Sequence, residues 1–363
     1  MKVLHICNDF NYQKLYINLF RENAKSIDQV VYCGNRNKKI IGNNIDTTIS
    51  NIEYFNPHIV YRYDKINYFG KAYRQYNFIK KNIGLNTINH VHAHTFFSDG
   101  VLAFLINLFF NIPYTVSVRN TDVNTFFKFK PYLTPLAYII YRKAKSIHFP
   151  TGNIKRKFFK RVLLKDNKSR VISNPLDDFW IDNQLQNKKS FNKRKSFLIC
   201  YVGKIDSNKN LDALVCAIER LNLNYKIKLK VVGKFKSKNI KRRVSQKEFV
   251  EHINHIHSKD KLKNIYRESH LLCLPSKSET FGMVCLESLS QGTPFLIRKK
   301  QGLFGLINAK EGGHYFESDS DITTKIEQII RRGQMSIKTY VNFEDFRVTK
   351  ISDEMLNIYQ LTT

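Results

Sequence analysis

Leu274-Pro275-Ser276-Lys277-Ser278-Glu279-Thr280-Phe281-Gly282-Met283-Val284-Cys285-Leu286-Glu287-Ser288-Leu289-Ser290-Gln291-Gly292-Thr293-Pro294 closes one apolar run, 271–274, and leads into another, 294–297. Pro275 and Gly282 turn the chain, residues 283–291 have the apolar spacing of a helix, and Gly292 ends that helix ahead of the next strand. Strand, turn, helix and strand in this order are the repeating step of an α/β domain built on a parallel sheet. Ligands of such sheets sit beyond the carboxyl ends of the strands, where helix N-termini and glycine turns present backbone N–H groups to anions. The loops after strands are therefore where chemistry is expected.

The same alternation extends in both directions. After residue 195 the pattern predicts strands at 196–202, 226–232, 249–253, 271–274 and 294–297, with helices at 211–221, 261–269 and 283–291. Before it, strands are expected at 2–7, 29–32, 89–92, 114–118, 146–149 and 170–173, with helices at 12–25, 98–108 and 133–145. A length of 363 residues suits two such domains. The polar, lysine-rich stretch 184–195 has little to bury and is assigned as a linker between a first domain, 1–183, and a second, 196–342. The tail, 343–363, carries Phe346, Ile351, Met355 and Tyr359 at helical spacing and is expected to pack.

Composition narrows the partners. Sixty Lys and Arg against 30 Asp and Glu give a formal charge of +30, a field that attracts anionic lipid, nucleic acid or sugar phosphates. No helix-turn-helix, zinc-finger or RNA-binding motif accompanies the charge, so a nucleic-acid partner is not expected. Basic and aromatic residues alternate in 127–132 and 154–161, a composition that fits contact with an anionic membrane surface and equally a solvated basic face. The longest apolar stretch, 101–112, is too short to span a bilayer, and residues 1–5 lack the regions of a secretion signal, so a cytoplasmic protein, peripheral on the inner face of the membrane, is expected. Six dispersed cysteines without a C-x-x-C pair read as reduced thiols. His90, His92 and His94 alternate along a strand and share one face, a metal-like spacing, but no carboxylate or cysteine accompanies them. A core role, or contact of His94 with an acceptor at the strand end, is the expectation, and no metal is assigned.

The 274–294 stretch resembles the E-x7-E signature of glycosyltransferase family 4, the group 1 retaining enzymes of GT-B fold, of the kind that builds bacterial polysaccharide and lipopolysaccharide. The resemblance implies an α/β GT-B architecture, two Rossmann-like doubly wound domains facing a central cleft, with the nucleotide sugar on the second domain and the acceptor on the first. It implies that Glu279 hydrogen-bonds the donor sugar, that Glu287 grips the ribose hydroxyls, and that the amides of Phe281, Gly282, Met283 and Val284 meet the diphosphate. The segment from Tyr201 to Leu211 is similar to the family's strand, glycine, cation, five-residue step and lysine. That likeness marks Gly203, and it makes Lys204 and Lys209 the cations that stabilise the departing diphosphate. The family commonly has arginine where Lys204 stands.

Val231-Val232-Gly233-Lys234 resembles the family's second glycine turn, His257 stands where the nucleobase is usually framed, and 172–180 resembles the interdomain crossing. In the first half Arg119 occupies the position of the family's histidine, with Asp122 after it as a donor or acceptor contact. Asn8-Asp9-Phe10-Asn11 replaces the family's glycine pair, so Asp9 and Asn11 are acceptor candidates, Asn11 alternatively a helix cap. The resemblance further implies transfer of a hexose or N-acetylhexosamine from a UDP- or GDP-linked sugar to a saccharide or lipid-linked saccharide, with no cofactor, metal or protein nucleophile. A nucleotide-sugar binder or a phosphorylase on the same fold is the alternative.

Overall fold

Apolar strands covered on both faces and polar loops at their ends generate the architecture of the computed structural model, which describes residues 1–185, 196–332 and 341–362. One unit comprises Met1–Pro175 with Phe346–Thr363, the other Leu176–Asp345.

In the first unit, β1 (Lys2–Ile6), β2 (Asp28–Tyr32), β3 (Ile52–Phe55), β4 (His90–Ala93), β5 (Tyr114–Ser117), β6 (Ser146–Phe149) and β7 (Ser169–Val171) form a parallel sheet in the order β3-β2-β1-β4-β5-β6-β7. Successive residues of one strand serve opposite faces. Leu4 and Ile6 belong to one core with Val30, Tyr32 and Val91, whereas Val3 and Cys7 belong to another with Val31 and Cys33. The first core is covered by α2 (Tyr68–Asn82), α3 (Gly100–Phe110), α5 (Thr134–Lys143) and α6 (Gly152–Val162), with the single turn α4 (Phe127–Phe129) beside them; the second is covered by α1 (Leu15–Asn23).

In the second unit, α7 (Asp178–Asp182) precedes β8 (Phe197–Val202), α8 (Leu211–Leu221), β9 (Ile227–Val232), α9 (Lys238–Ser245), β10 (Val250–Ile253), α10 (Lys259–Glu268), β11 (Leu271–Leu274), α11 (Met283–Ser290), β12 (Phe295–Arg298), β13 (Gly313–Phe316) and α12 (Asp321–Arg332). The sheet is parallel, in the order β10-β9-β8-β11-β12-β13. Local chemistry starts its helices: the Ser237 and Ser258 hydroxyls accept from Ile240 N and Lys261 N. Each sheet reverses its winding once, between β1 and β4 in the first unit and between β8 and β11 in the second, and these are the points where a doubly wound sheet opens a crevice for ligand.

The second unit begins at Leu176, earlier than residue 184, because 176–185 are fastened to it. Trp180 lies 5.6 Å from the Tyr266 ring, Arg267 Nη2 donates to Asn183 O at 2.8 Å, and Leu185 N donates to Ser290 O at 2.7 Å. Most of the expected linker, 186–195, lies outside the described residues. The tail helix α13 (Val348–Thr362) belongs to the first unit, where Ser352 Oγ donates to Asn23 Oδ1 at 2.7 Å and the Tyr359 hydroxyl meets His92 Nδ1 at 2.6 Å. Among the described residues no helix is long and apolar enough to cross a membrane.

Candidate active site

Pairing of β8 with β11 (Ile199 with Leu271, Cys200 with Leu272) brings the loops at their carboxyl ends out side by side. The loops are stitched together: Lys277 N donates to Asn208 O at 2.8 Å and Asn208 Nδ2 to Ser278 O at 3.0 Å. Beyond that stitch Lys209 Nζ meets Glu279 Oε2 at 2.5 Å, joining two residues that the sequence separates by 70 positions. The loop after β12 supports the pair, since Glu279 N donates to Gln301 Oε1 at 3.2 Å and Gly302 N donates to Glu279 O at 3.2 Å. Lys204 reaches Asp206 at 3.4 Å and is 58% exposed, free to turn toward a ligand.

Gly282 precedes α11 at φ +83°, a conformation that suits glycine, and no side chain caps the helix. The amides of Met283 and Val284 in its first turn are thus left for an external acceptor, while Phe281 is buried below them. Gly203 and Gly233 end β8 and β9 at φ +147° and +145°, and a Cβ on Gly233 would lie 2.0 Å from Gly203 O. Only glycine permits that approach.

Glu287 projects from α11 to accept from the Tyr266 hydroxyl at 2.9 Å. Burial pushes its carboxyl up to about 7, against the lowering effect of the Tyr266 bond. His257 is exposed past the edge strand β10, its ring 4.3 Å from that of His255. A buried carboxyl raised in this way favours its neutral form, so its contribution to stability falls as pH rises from the unfolded value near 4.5 through 7. Glu287→Gln keeps an acceptor for Tyr266 and removes the cost of ionisation, up to about 3 kcal/mol above pH 7. The variant's advantage in melting temperature over wild type is expected to be roughly twice as large at pH 8.5 as at pH 5.5. An advantage equal at both values rules the explanation out.

In the first unit the structure corrects three expectations. Asp122 is fully buried, and its carboxylate accepts from Phe96 N and Phe97 N at 3.1 Å and from Arg119 N at 2.7 Å. Those bonds fasten the loop after β4 to the loop after β5, and complete burial keeps the carboxylate from a ligand. Asn11 is likewise buried, its amide donating to Asn35 Oδ1 at 2.8 Å and Asn56 Oδ1 at 3.0 Å; nor does it cap α1, which starts at Leu15. The His94 side chain is enclosed, with Nε2 3.1 Å from His5 Nδ1, so it does not reach an acceptor. His92, fully buried, is held by Tyr359 and by Ser117 Oγ at 2.9 Å. His5, His92 and His94 bring ring nitrogens within 4.8 Å of one another. Burial holds all three rings below their usual protonation range.

Arg119 keeps a place at the switch point. Its Nη1 donates to Asn174 Oδ1 at 2.8 Å and its Nε to His94 O at 3.2 Å, which orients the guanidinium over the Tyr16 ring. Asp9 lies in the same region, its carboxyl raised by burial and lowered in part by Arg119 and Lys71. Sequence reading missed Asp99. It is fully buried at the start of α3, accepts from Asn8 Nδ2 at 2.6 Å, leaves Oδ2 without a partner among the described residues, and is pushed up to about 8, first by burial and then by Asp9. The Asp99-Gly100 pair opening a helix after a strand was the available signal.

Known proteins are similar to this chain in fold and in the sequence of its second unit. Residues 182–343, nearly the whole second unit, match the family model of glycosyl transferases group 1. An uncharacterized glycosyltransferase of Methanocaldococcus jannaschii is 20% identical over 303 residues, 77% of each chain. Sucrose-phosphate synthase from Thermosynechococcus elongatus superposes with a TM-score of 0.76 at 14% identity, covering 99% of this chain and 98% of that one. Anabaena HepE in complex with UDP gives 0.72 at 13% identity, covering 99% and 100%. With a second unit that matches the glycosyl transferases group 1 model, relatives that are glycosyltransferases, and the GT-B fold that these structures share, the chain is a glycosyltransferase.

Proposed function

We propose that the enzyme retains anomeric configuration and moves a hexose or N-acetylhexosamine from a UDP- or GDP-linked sugar to a saccharide or lipid-linked saccharide in cell-surface polysaccharide synthesis. The observation that carries this reading is the meeting of Lys209 and Glu279 beside the uncapped start of α11. A nucleoside diphosphate placed there would find amides for its phosphates, cations at Lys204 and Lys209 for the charge of departure, and the Glu279 carboxylate for sugar hydroxyls. Glu287, farther along α11, would take the ribose. UDP in the HepE complex supports a uridine donor by analogy. In this reading the leaving phosphate oxygen takes the acceptor's proton on the face it vacates, and neither metal, cofactor nor protein nucleophile is used. The basic and aromatic residues of 127–132 and 154–161 would hold the enzyme at the inner membrane face.

The test is a panel of UDP-, GDP- and ADP-sugars, read by thermal shift and then by nucleoside diphosphate release in EDTA. One donor should bind, turn over slowly to water, and yield product of the donor's own anomeric configuration by NMR. Inverted product removes the retaining mechanism; a folded protein that binds no donor removes the site assignment.

A further inference from the structure

Apart from the donor loops, the first unit has a cavity of about 470 Å³ at the carboxyl end of its sheet. Its walls come from the segments after β2, β3, β4 and β5 and from the first half of α2, the end of a doubly wound sheet where ligands bind. The lining is of two kinds. Tyr61, Tyr68, Phe126 and Phe129 supply aromatic surface, and Arg36, Lys65, Lys71 and Lys130 supply positive charge.

Little of that charge is paired by a hydrogen bond or ion pair among the described residues. Asp64, the one carboxylate of the lining, is engaged by Arg74 and by Tyr61 N. Among the described residues, Arg36, Lys65 and Lys71 have no side-chain hydrogen bond or ion pair, and Lys130 rests its ammonium 5.4 Å from the Tyr68 ring centroid and 5.6 Å from that of Phe126. Burial lowers Lys71 from its usual value, and Asp99, Asp64 and Asp9 oppose that shift only in part.

The apolar side is equally unspent. Phe129 lines the cavity yet is 68% exposed, and Ile66, Phe69 and Tyr132, close to lining residues in the chain, are 88%, 61% and 56% exposed. Exposed aromatic and aliphatic groups next to unpaired cations complement a ligand with an anionic head and an apolar tail. A free saccharide has neither.

We propose that this cavity seats the phosphate head and the first carbons of a lipid phosphate that carries the acceptor. The assignment of an acceptor rests on the glycosyltransferase reading; the binding of a lipid phosphate does not. Phosphate oxygens would accept from Arg36, Lys71 and Lys130, the first carbons would lie on Phe126 and Phe129, and the rest of the tail would pass Ile66 and Phe69 into the bilayer.

Binding of dihexanoyl phosphatidic acid below its micellar concentration, measured calorimetrically on the full chain, tests this. Inorganic phosphate and octyl glucoside serve as the head alone and a neutral amphiphile. The double variant Arg36→Met, Lys71→Met should weaken lipid phosphate binding by at least about 10-fold, the loss expected of charged hydrogen bonds. Phe129→Ser should weaken it by roughly 5-fold, and Lys80→Ala, Lys81→Ala in the last turn of α2, away from the lining, should leave it unchanged. UDP binding, tracked in every variant, reports the donor site and the fold separately. The proposal is overturned if folded wild type ignores lipid phosphate, if inorganic phosphate binds as tightly, or if the Lys80, Lys81 variant loses as much affinity as the cavity variant.

Discussion

Replacing Lys209 with methionine should lower turnover by about 10²- to 10³-fold while changing donor affinity much less. The proposed reaction concentrates negative charge on the departing diphosphate, so a fixed cation there stabilises the transition state more than the bound donor. Lys209 is fixed. Its backbone N donates to Asp206 O at 3.0 Å and Oδ1 at 3.2 Å, and its ammonium is held against Glu279. Lys204, more exposed and, among the described residues, paired with Asp206 alone, should cost closer to 10-fold when removed. Product release gives kcat and calorimetry gives donor affinity, with Lys209→Arg as the variant that keeps charge and should recover part of the rate. A purely structural role for the Lys209–Glu279 pair makes the opposite forecast: a lower Tm with kcat of the folded protein near wild type.

Legibility depended on the range of the interactions involved. Residues 271–274 and 211–221 were assigned to the residue because their patterns are complete within the segment, an unbroken apolar strand and a helix burying Leu211, Leu214, Val215, Ala217, Ile218 and Leu221. Strand β3 was not seen, since an edge strand reading Ile-Glu-Tyr-Phe buries only Ile52. Helix α2 was missed for a different reason: its inward stripe runs through Tyr68, Ala72, Gln75, Tyr76 and Ile79, and a buried glutamine among tyrosines blurs the hydrophobic period.

The same distinction separates the two halves of the site. Glu279, Lys209 and Gly282 could be named from strand ends and turns, which are local. Asp122, Asn11 and His94 take their roles from Phe96, Asn35 and His5, partners that spacing does not reveal. The cavity cations come from separate segments of the chain, and only the sheet order brings them to one place.

The first unit should also be the acid-labile one. His5, His90, His92, His94 and His148 are all buried there, and burial lowers His5, His90 and His148 to about 3 and the other two well below 6.5. A histidine kept neutral in the fold but protonated when unfolded stabilises the protein above pH 6.5, and that contribution is lost as pH falls toward 3. Three carboxyls in the same unit oppose the loss. Asp99, Asp122 and Asp9 are raised in the fold, so they hold protons that the unfolded chain releases until pH drops below about 4. Five histidines less Asp99 and Asp122, with Asp9 opposing further in the same direction, leave about two to three protons, or roughly 3–4 kcal/mol of stability lost per pH unit between 6 and 4, enough to exhaust a domain's 5–15 kcal/mol within a few units. Below pH 4 the opposition ends and the slope steepens.

The single tryptophan, Trp180, lies in the second unit, so its fluorescence reports that unit while near-ultraviolet tyrosine dichroism reports largely the first. The tyrosine signal should collapse near pH 4 with Trp180 still native. Among the described residues neither ring nitrogen of His148 has a hydrogen-bond partner, so His148→Leu breaks no such bond and removes one of the five protons. It should move the collapse down by roughly half a pH unit. An unmoved midpoint with an unchanged slope would mean that carboxylates, not the buried histidines, set the acid limit of the fold.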